Sequence, residues 1–90
     1  MIEVKSSTKP LDNAEAIISR HEWDMACLDN NTSRYVFHFW RVGPEQNLLA
    51  VITTGEMAKH IPTDAESGKW TAVSIPFAVF SEKFKAWGSN

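Results

Sequence analysis

The sequence predicts a single soluble domain of the α+β class, in which helices pack on a mixed β-sheet. Strand-like runs are interspersed with short helical runs, and 43% of the 90 residues are hydrophobic against 22% charged. That balance is ordinary for a globular domain and argues against intrinsic disorder. A chain of this length forms one domain, spanning residues 1–90. Its margin of stability is thin because it buries only about 60–65% of its unfolded surface.

The first third of the chain predicts a strand, a loop, a short extended piece and a helix. The strand covers Ile2 to Ser6, and the polar run that follows reads as a loop. After an extended pair at residues 17–18, Ser19 and Glu22 form a capping-box pattern, in which each residue hydrogen-bonds the other's backbone. This pattern predicts a helix from about Arg20 to Leu28.

The strongest strand signal runs from Arg34 to Val42. One face carries Tyr35, Phe37 and Phe39, and the other carries Val36, His38, Trp40 and Val42. Because both faces are mostly apolar, we expect a central strand that is covered on both sides. A turn at residues 43–46 and a return strand from Leu48 to Thr53 then predict a hairpin.

The last third predicts a short helix, a strand and a final helix. Thr54 is the expected N-cap of a helix that extends to about His60. Lys69 to Ile75 alternates like a strand. The final helix opens near Pro76 and ends at Gly88, and its predicted apolar stripe consists of Phe77, Phe80, Phe84 and Trp87.

Charge and cysteine content exclude several classes of function. The net charge of −2 and the pI near 5.8 do not suit a stand-alone DNA-binding module. Cys27 is the single cysteine, so neither an internal disulfide nor a cysteine-based zinc site is possible. The three histidines lack ligand spacing. No signal peptide or membrane-spanning run is present, which predicts a cytoplasmic protein without a membrane partner.

Glu3 and Lys5 are the first candidates for chemistry. They flank Val4 on the first strand, so both side chains leave from one face. A carboxylate suits Mg²⁺, and an adjacent ammonium can balance charge that builds on a phosphate. The alternative is a surface ion pair on an exposed strand.

Three segments together resemble a known family. They are Glu3-Val4-Lys5-Ser6-Ser7, then Ser19-Arg20-His21-Glu22-Trp23 at the helix start, then the strand from Tyr35 to Val42. In this order they resemble the NO VEIN C-terminal domain family, which is similar in turn to the PD-(D/E)xK restriction-endonuclease-like superfamily. The resemblance covers most of the chain up to about Ile75.

The resemblance implies a fold and an activity. The fold would be the C-terminal part of a restriction-endonuclease-like domain, and the activity would be Mg²⁺-dependent cleavage of DNA in a restriction or defence setting. Glu3 would be a metal ligand and Lys5 the catalytic lysine. The superfamily's first acidic ligand lies upstream of Glu-x-Lys, and this sequence begins two residues before Glu3. We therefore expect an incomplete site, inactive alone unless a second copy or a partner chain supplies the missing acid.

Four further residues are candidates beside this pair. Glu22 is a possible extra acid, although its role in the capping box is the simpler reading. Arg20 can contact a phosphate near the helix start, or it can be a solvated surface arginine. Ser6 and Ser7 can position a phosphate, or they can be turn residues at the strand end.

Two other interpretations remain open. The chain can be a non-catalytic domain that binds a partner or a second copy, with Glu3 and Lys5 as a relic and with the first strand as an exposed edge. It can also be a structural domain whose resemblance to the family is accidental. Core packing is the expected role of most of the four tryptophans, with Trp87 and Phe84 as a possible contact face.

Overall fold

A computed structural model describes residues 1–28, 35–64 and 68–87. In these residues it confirms the α+β class, with short helices and a 3₁₀ helix among the strands. The elements are β1 (Ile2–Ser7), β2 (Glu15–Ser19), α1 (Arg20–Leu28), β3 (Val36–Val42), β4 (Asn47–Thr53), α2 (Thr54–Ala58), β5 (Ala72–Pro76), the 3₁₀ helix (Phe77–Lys83) and β6 (Lys85–Trp87).

Four of the strands form a mixed sheet in the order β1-β3-β4-β6. β1 runs parallel to β3, whereas β3–β4 and β4–β6 are antiparallel. Parallel neighbours need a long crossover connection. Here that connection contains β2 and α1, which places α1 near β1.

β2 and β5 form a separate two-stranded antiparallel sheet. A two-stranded ribbon is marginally stable by itself and must pack on something larger. Its inward side chains, Ala16, Ile18 and Ile75, are almost completely buried and belong to the main core. The ribbon therefore covers part of the four-stranded sheet.

The core lies on one face of the four-stranded sheet. Phe37 and Phe39 of β3 are fully buried, as are Ala50 and Ile52 of β4. Ala26 of α1, Met57 of α2 and both Phe77 and Phe80 of the 3₁₀ helix complete this core. The rings of Phe39 and Phe77 stack with their centroids 5.0 Å apart.

The opposite face of this sheet is open, and the prediction that β3 is covered on both sides is wrong. Val36, His38 and Trp40 are only half-buried, and Val42 is exposed. In β4 the side chain of Val51 on this face is 44% exposed. Alternation of apolar residues on both faces made the strand look two-sided, but its packed neighbours lie on one side only.

The prediction of a final helix is also wrong. Residues 77–83 form a 3₁₀ helix with a kink at Phe80. Lys85–Trp87 then form a strand that pairs antiparallel with the free edge of β4. This strand adds a third strand to the hairpin of β3 and β4. Phe77 and Phe80 still share a face, because a 3₁₀ helix repeats every three residues. Gly88, the expected end of that helix, lies outside the described residues.

Other boundaries need smaller corrections. α1 spans Arg20–Leu28 as predicted, but α2 begins after Thr53, whose side chain accepts the cap hydrogen bond instead of Thr54. β5 begins at Ala72 and not at Lys69. Within the described residues, no helix is long and apolar enough to cross a membrane.

The tryptophans depart from their expected role, since none of the four is fully buried. Trp23 packs against the core and stacks on Phe37. Trp70 lies under a guanidinium, that of Arg20. Trp40 and Trp87 meet edge-to-face on the open side of the sheet.

Candidate functional site

Glu3, Lys5 and Glu22 meet on the covered side of β1, and we call them the Glu3–Lys5–Glu22 cluster. The ammonium of Lys5 donates hydrogen bonds to both carboxylate oxygens of Glu22, at 2.8 Å and 3.0 Å. The same nitrogen lies 3.8 Å from Oε2 of Glu3. The structure therefore joins three predicted site residues that are far apart in the sequence.

The strand geometry orients the first two members. Glu3 and Lys5 lie opposite Phe37 and Phe39 in the parallel register with β3, and those rings belong to the core. Residues two apart on a strand share a face. Both charged side chains consequently start from the core side of the sheet and reach solvent beyond its edge strand.

The helix start fixes the third member. The backbone N–H of Ser19 donates to Oε1 of Glu22 at 2.8 Å, and the N–H of Glu22 donates to Oγ of Ser19 at 3.1 Å. This is the predicted capping box. Since the same carboxylate also accepts from Lys5, the structural and the functional readings of Glu22 are compatible.

Tyr35 is a fourth neighbour, whose strand face was predicted but whose contact with Glu3 was not. Its hydroxyl donates to Oε1 of Glu3 across 3.3 Å. A buried tyrosine usually finds a partner for its hydroxyl. This requirement for a hydrogen-bond partner could have linked Tyr35 to a polar neighbour from the sequence alone.

The cluster is partly accessible to solvent. The side chains of Glu3, Lys5 and Glu22 are 26%, 21% and 23% exposed. Interactions between charges are stronger at such a site than on an open surface, because less water screens them. Two carboxylates surround a single ammonium there, so the three groups carry one excess negative charge when both carboxylates are ionised.

The two carboxyl groups have opposite pKa shifts. Burial, and then hydrogen bonding and repulsion from Glu22, raise the pKa of Glu3 above its usual 4.5. Burial also disfavours the charged form of Glu22, but hydrogen bonds from Lys5 and from the Ser19 backbone outweigh it and bring the pKa of Glu22 to about 2. Burial and the charge of Glu3 raise the pKa of Tyr35 to about 12. The hydrogen bonds from Lys5 and Ser19 therefore favour the charged form of Glu22, whereas the surroundings of Glu3 disfavour its charged form.

Ser6 and Ser7 lie apart from the cluster. Ser6 is on the open face of the sheet, opposite to Lys5, because adjacent strand residues alternate. Ser7 shares the face of Lys5, but its hydroxyl accepts a hydrogen bond from the N–H of Lys9 at 3.1 Å. Ser7 therefore acts as a turn residue at the end of the strand, which is the second of the two roles predicted for it.

Arg20 also does not join the cluster. Its guanidinium forms two hydrogen bonds to Asp64, a third to Asp24, and lies 4.7 Å from the centre of the Trp70 ring. The hydrogen bonds to Asp64 raise the pKa of Arg20 and lower that of Asp64. Arg20 thus links α1 to the segment before β5 instead of facing Lys5.

The donor set bears on the Mg²⁺ that the resemblance implies. Glu3 and Glu22 offer hard oxygen ligands, and Mg²⁺ in proteins is commonly held by one or two carboxylates together with water and phosphate. Within the described part of the chain, no group of three or more His, Cys, Asp or Glu side chains converges. The described residues therefore offer two carboxylate ligands in this cluster and no third.

The chain matches no protein-family model, no curated protein and no solved structure. The resemblance to the NO VEIN C-terminal domain family accordingly stays a prediction.

Proposed function

We propose that this domain supplies half of a Mg²⁺-dependent phosphodiesterase site, acting on DNA. The observation that carries the proposal is the meeting of Glu3 and Glu22 around the ammonium of Lys5. Two acids and one lysine are the residue types that hydrolysis of a phosphodiester needs. A protein in the cytoplasm, as the sequence predicts, has access to such a substrate.

Each residue has a distinct part in this proposal. Glu3 and Glu22 would hold the ion through their carboxylate oxygens, and Glu22 would give up its hydrogen bonds with Lys5 for that contact. When bound, Mg²⁺ supplies Lewis-acid chemistry to the phosphodiester. Lys5, which lies beside both carboxylates, would donate to a phosphate oxygen on which negative charge develops.

The cluster explains why the domain alone is expected to be a weak catalyst. Two carboxylates would be a small ligand set for Mg²⁺, which would have to take its other ligands from water and substrate. Lys5 would also compete with the ion for Glu22, since its ammonium donates two hydrogen bonds to that carboxylate. A further acid from a second copy or another chain would strengthen the site.

Metal binding is the first test of the proposal. Titration with Mn²⁺, followed by electron paramagnetic resonance, should show one weak site per chain. Glu3→Gln and Glu22→Gln should each abolish it. Asp24→Asn is the matched control, because Asp24 lies on the same helix but pairs with Arg20, away from the cluster. Binding that persists in both Gln variants would exclude this metal site.

Cleavage of plasmid and single-stranded DNA in the presence of Mg²⁺ or Mn²⁺ is the second test. Lys5→Ala should lower any cleavage rate by about 100-fold or more. Ser6→Ala is a suitable control, since Ser6 is exposed on the opposite face. Cleavage that survives Glu3→Ala or Lys5→Ala would contradict the assignment.

A second candidate function is association with another protein without catalysis. The open face of the four-stranded sheet favours it: Ile2 and Val4 are each 55% exposed, and Trp87 is 59% exposed. Exposed apolar surface of this kind is typical of interaction sites. A monomer at all concentrations that captures no partner would count against this candidate.

A further inference from the structure

β1 is an edge strand whose outer side is unpaired in the described structure. It neighbours only β3 in the sheet order. The N–H of Val36 donates to the carbonyl of Met1 at 3.1 Å, so odd-numbered residues of β1 turn their backbone groups towards β3. Backbone groups alternate along a strand, and Ile2, Val4 and Ser6 therefore turn theirs outward. No described backbone group bonds these three, so β1 offers a template for another strand.

The sequence of β1 is self-complementary about Val4. If a second copy of β1 pairs antiparallel with Val4 opposite Val4, Glu3 of each chain lies opposite Lys5 of the other. Opposite charges directly across an antiparallel pair stabilise it. The outward N–H and C=O of Val4 then form the central hydrogen-bonded pair, with Ile2 and Ser6 bonded on either side.

The features that usually protect an edge are weak in β1. Natural edge strands are commonly blunted by proline, by a bulge or by an inward-facing charge such as lysine. β1 contains neither proline nor a break in its register with β3. Its inward-facing lysine is Lys5, whose charge is already offset by Glu22 and Glu3. Ile2 and Val4 are meanwhile left largely exposed.

We propose that two copies of this chain associate through β1, antiparallel and with Val4 on the twofold axis. The product is a symmetric dimer with a continuous eight-stranded sheet, and each copy uses the same surface. The two Glu3–Lys5–Glu22 clusters come to lie side by side on one face, so each gains carboxylates from the other chain. This inference rests on the second candidate function, association, and does not require metal-dependent chemistry.

The first experiment measures the dimer dissociation constant by sedimentation velocity over a wide concentration range. Val4→Lys places two like charges directly opposite each other on the axis and should weaken the dimer by about tenfold or more. Val4 is more than half exposed in the single chain, so the variant should keep its fold, which circular dichroism verifies. Val51→Lys is the matched control: it lies on the same sheet face in β4, away from the edge, and should leave the dimer intact.

The second experiment tests the register by isotope-filtered nuclear Overhauser spectroscopy on a mixture of labelled and unlabelled chains. In the proposed register, Glu3 and Lys5 of different chains form a non-hydrogen-bonded pair, so their α-protons should give a strong intermolecular cross-peak. A chain that stays monomeric at the highest concentration overturns the inference, as does a dimer that Val4→Lys leaves unchanged. A dimer lost in Trp87→Ser but kept in Val4→Lys also overturns it, while leaving association through the open face as the function.

Discussion

At the scale of single residues, the carboxylate of Glu22 connects local structure to the candidate chemistry. It accepts from the backbone of Ser19, which starts α1, and from the ammonium of Lys5, which ties α1 to β1. The hydrogen bonds from these two sources lower the pKa of Glu22, while the pKa of the neighbouring Glu3 is raised. One side chain thus sets the start of a helix, the contact between two elements and the proton distribution of the cluster.

Glu22→Gln should destabilise the protein by about 1–2 kcal/mol at neutral pH, because Lys5 then loses the carboxylate to which it donates its hydrogen bonds. Glutamine keeps an oxygen for the Ser19 backbone, so the loss reports the ion pair rather than the cap. A carboxyl whose pKa is lowered in the folded state stabilises that state above its ordinary value of 4.5, and this contribution disappears as the pH falls towards about 2. The difference between the two proteins should therefore shrink over that interval in urea unfolding experiments.

Asp24→Asn provides the comparison for this experiment. Asp24 is 57% exposed and pairs with Arg20 four residues earlier on the helix, an arrangement that contributes little. The free energy of unfolding of the Asp24→Asn variant should differ from that of the unchanged protein by about 0.5 kcal/mol or less. A Glu22→Gln variant that matches this control at every pH would show that the cluster contributes nothing to stability.

At the scale of elements, the sequence predicted what is locally encoded. The Ser19 and Glu22 pattern predicted the start of α1, and the alternation of Tyr35, Phe37 and Phe39 predicted the buried face of β3. The prediction of a final helix failed because Phe77 and Phe80, three residues apart, also share one face of a 3₁₀ helix. Pairing of Lys85–Trp87 with β4 is a tertiary event, which residue spacing cannot reveal.

The same division applies to the candidate site. The shared face of Glu3 and Lys5 follows from the period of a strand, and that period also places Ser6 on the opposite face. The position of Glu22 beside Lys5 depends on how the connection between β1 and β3 packs against β1, and no local sequence pattern encodes that packing. Arg20 hydrogen-bonds Asp64, which follows α2 in the chain, and therefore does not face the cluster.

The capping box of α2 allows a test of local encoding. The N–H of Glu56 donates to Oγ1 of Thr53, and the N–H of Thr53 donates to the carboxylate of Glu56. Hydrogen bonding with Lys83, and then with the Thr53 backbone, lowers the pKa of Glu56. Glu56 therefore helps to start α2 and, through Lys83, also joins α2 to the 3₁₀ helix.

Thr53→Ala should cost about 1 kcal/mol of stability, since it removes the acceptor for the helix N-terminus. Thr53→Ser keeps the hydroxyl and should retain most of that stability. Thermal unfolding of both variants, followed by circular dichroism, checks the expectation. Equal losses in the two variants would indicate that the methyl group of Thr53 matters and that the cap does not.

At the scale of the whole molecule, the four-stranded sheet is asymmetric. One face carries the fully buried rings of Phe37 and Phe39, and the other carries the edge-to-face contact of Trp40 and Trp87 near solvent. A chain of this length has a total stability of about 5–13 kcal/mol. Most of that stability must come from the covered face, which leaves the open face free to associate.

Adjacent substitutions on β3 test this asymmetry. Phe39→Ala should cost about 3–5 kcal/mol, because it leaves a cavity beside Phe77 and Phe80 in the core. Trp40→Ala, one residue later on the other face, should cost only about 1–2 kcal/mol, because its side chain is half-buried and loses mainly the contact with Trp87. Urea unfolding of both variants gives the two values. Similar losses would mean that both faces are covered in solution, and a dilution series would then show whether a second chain provides the cover.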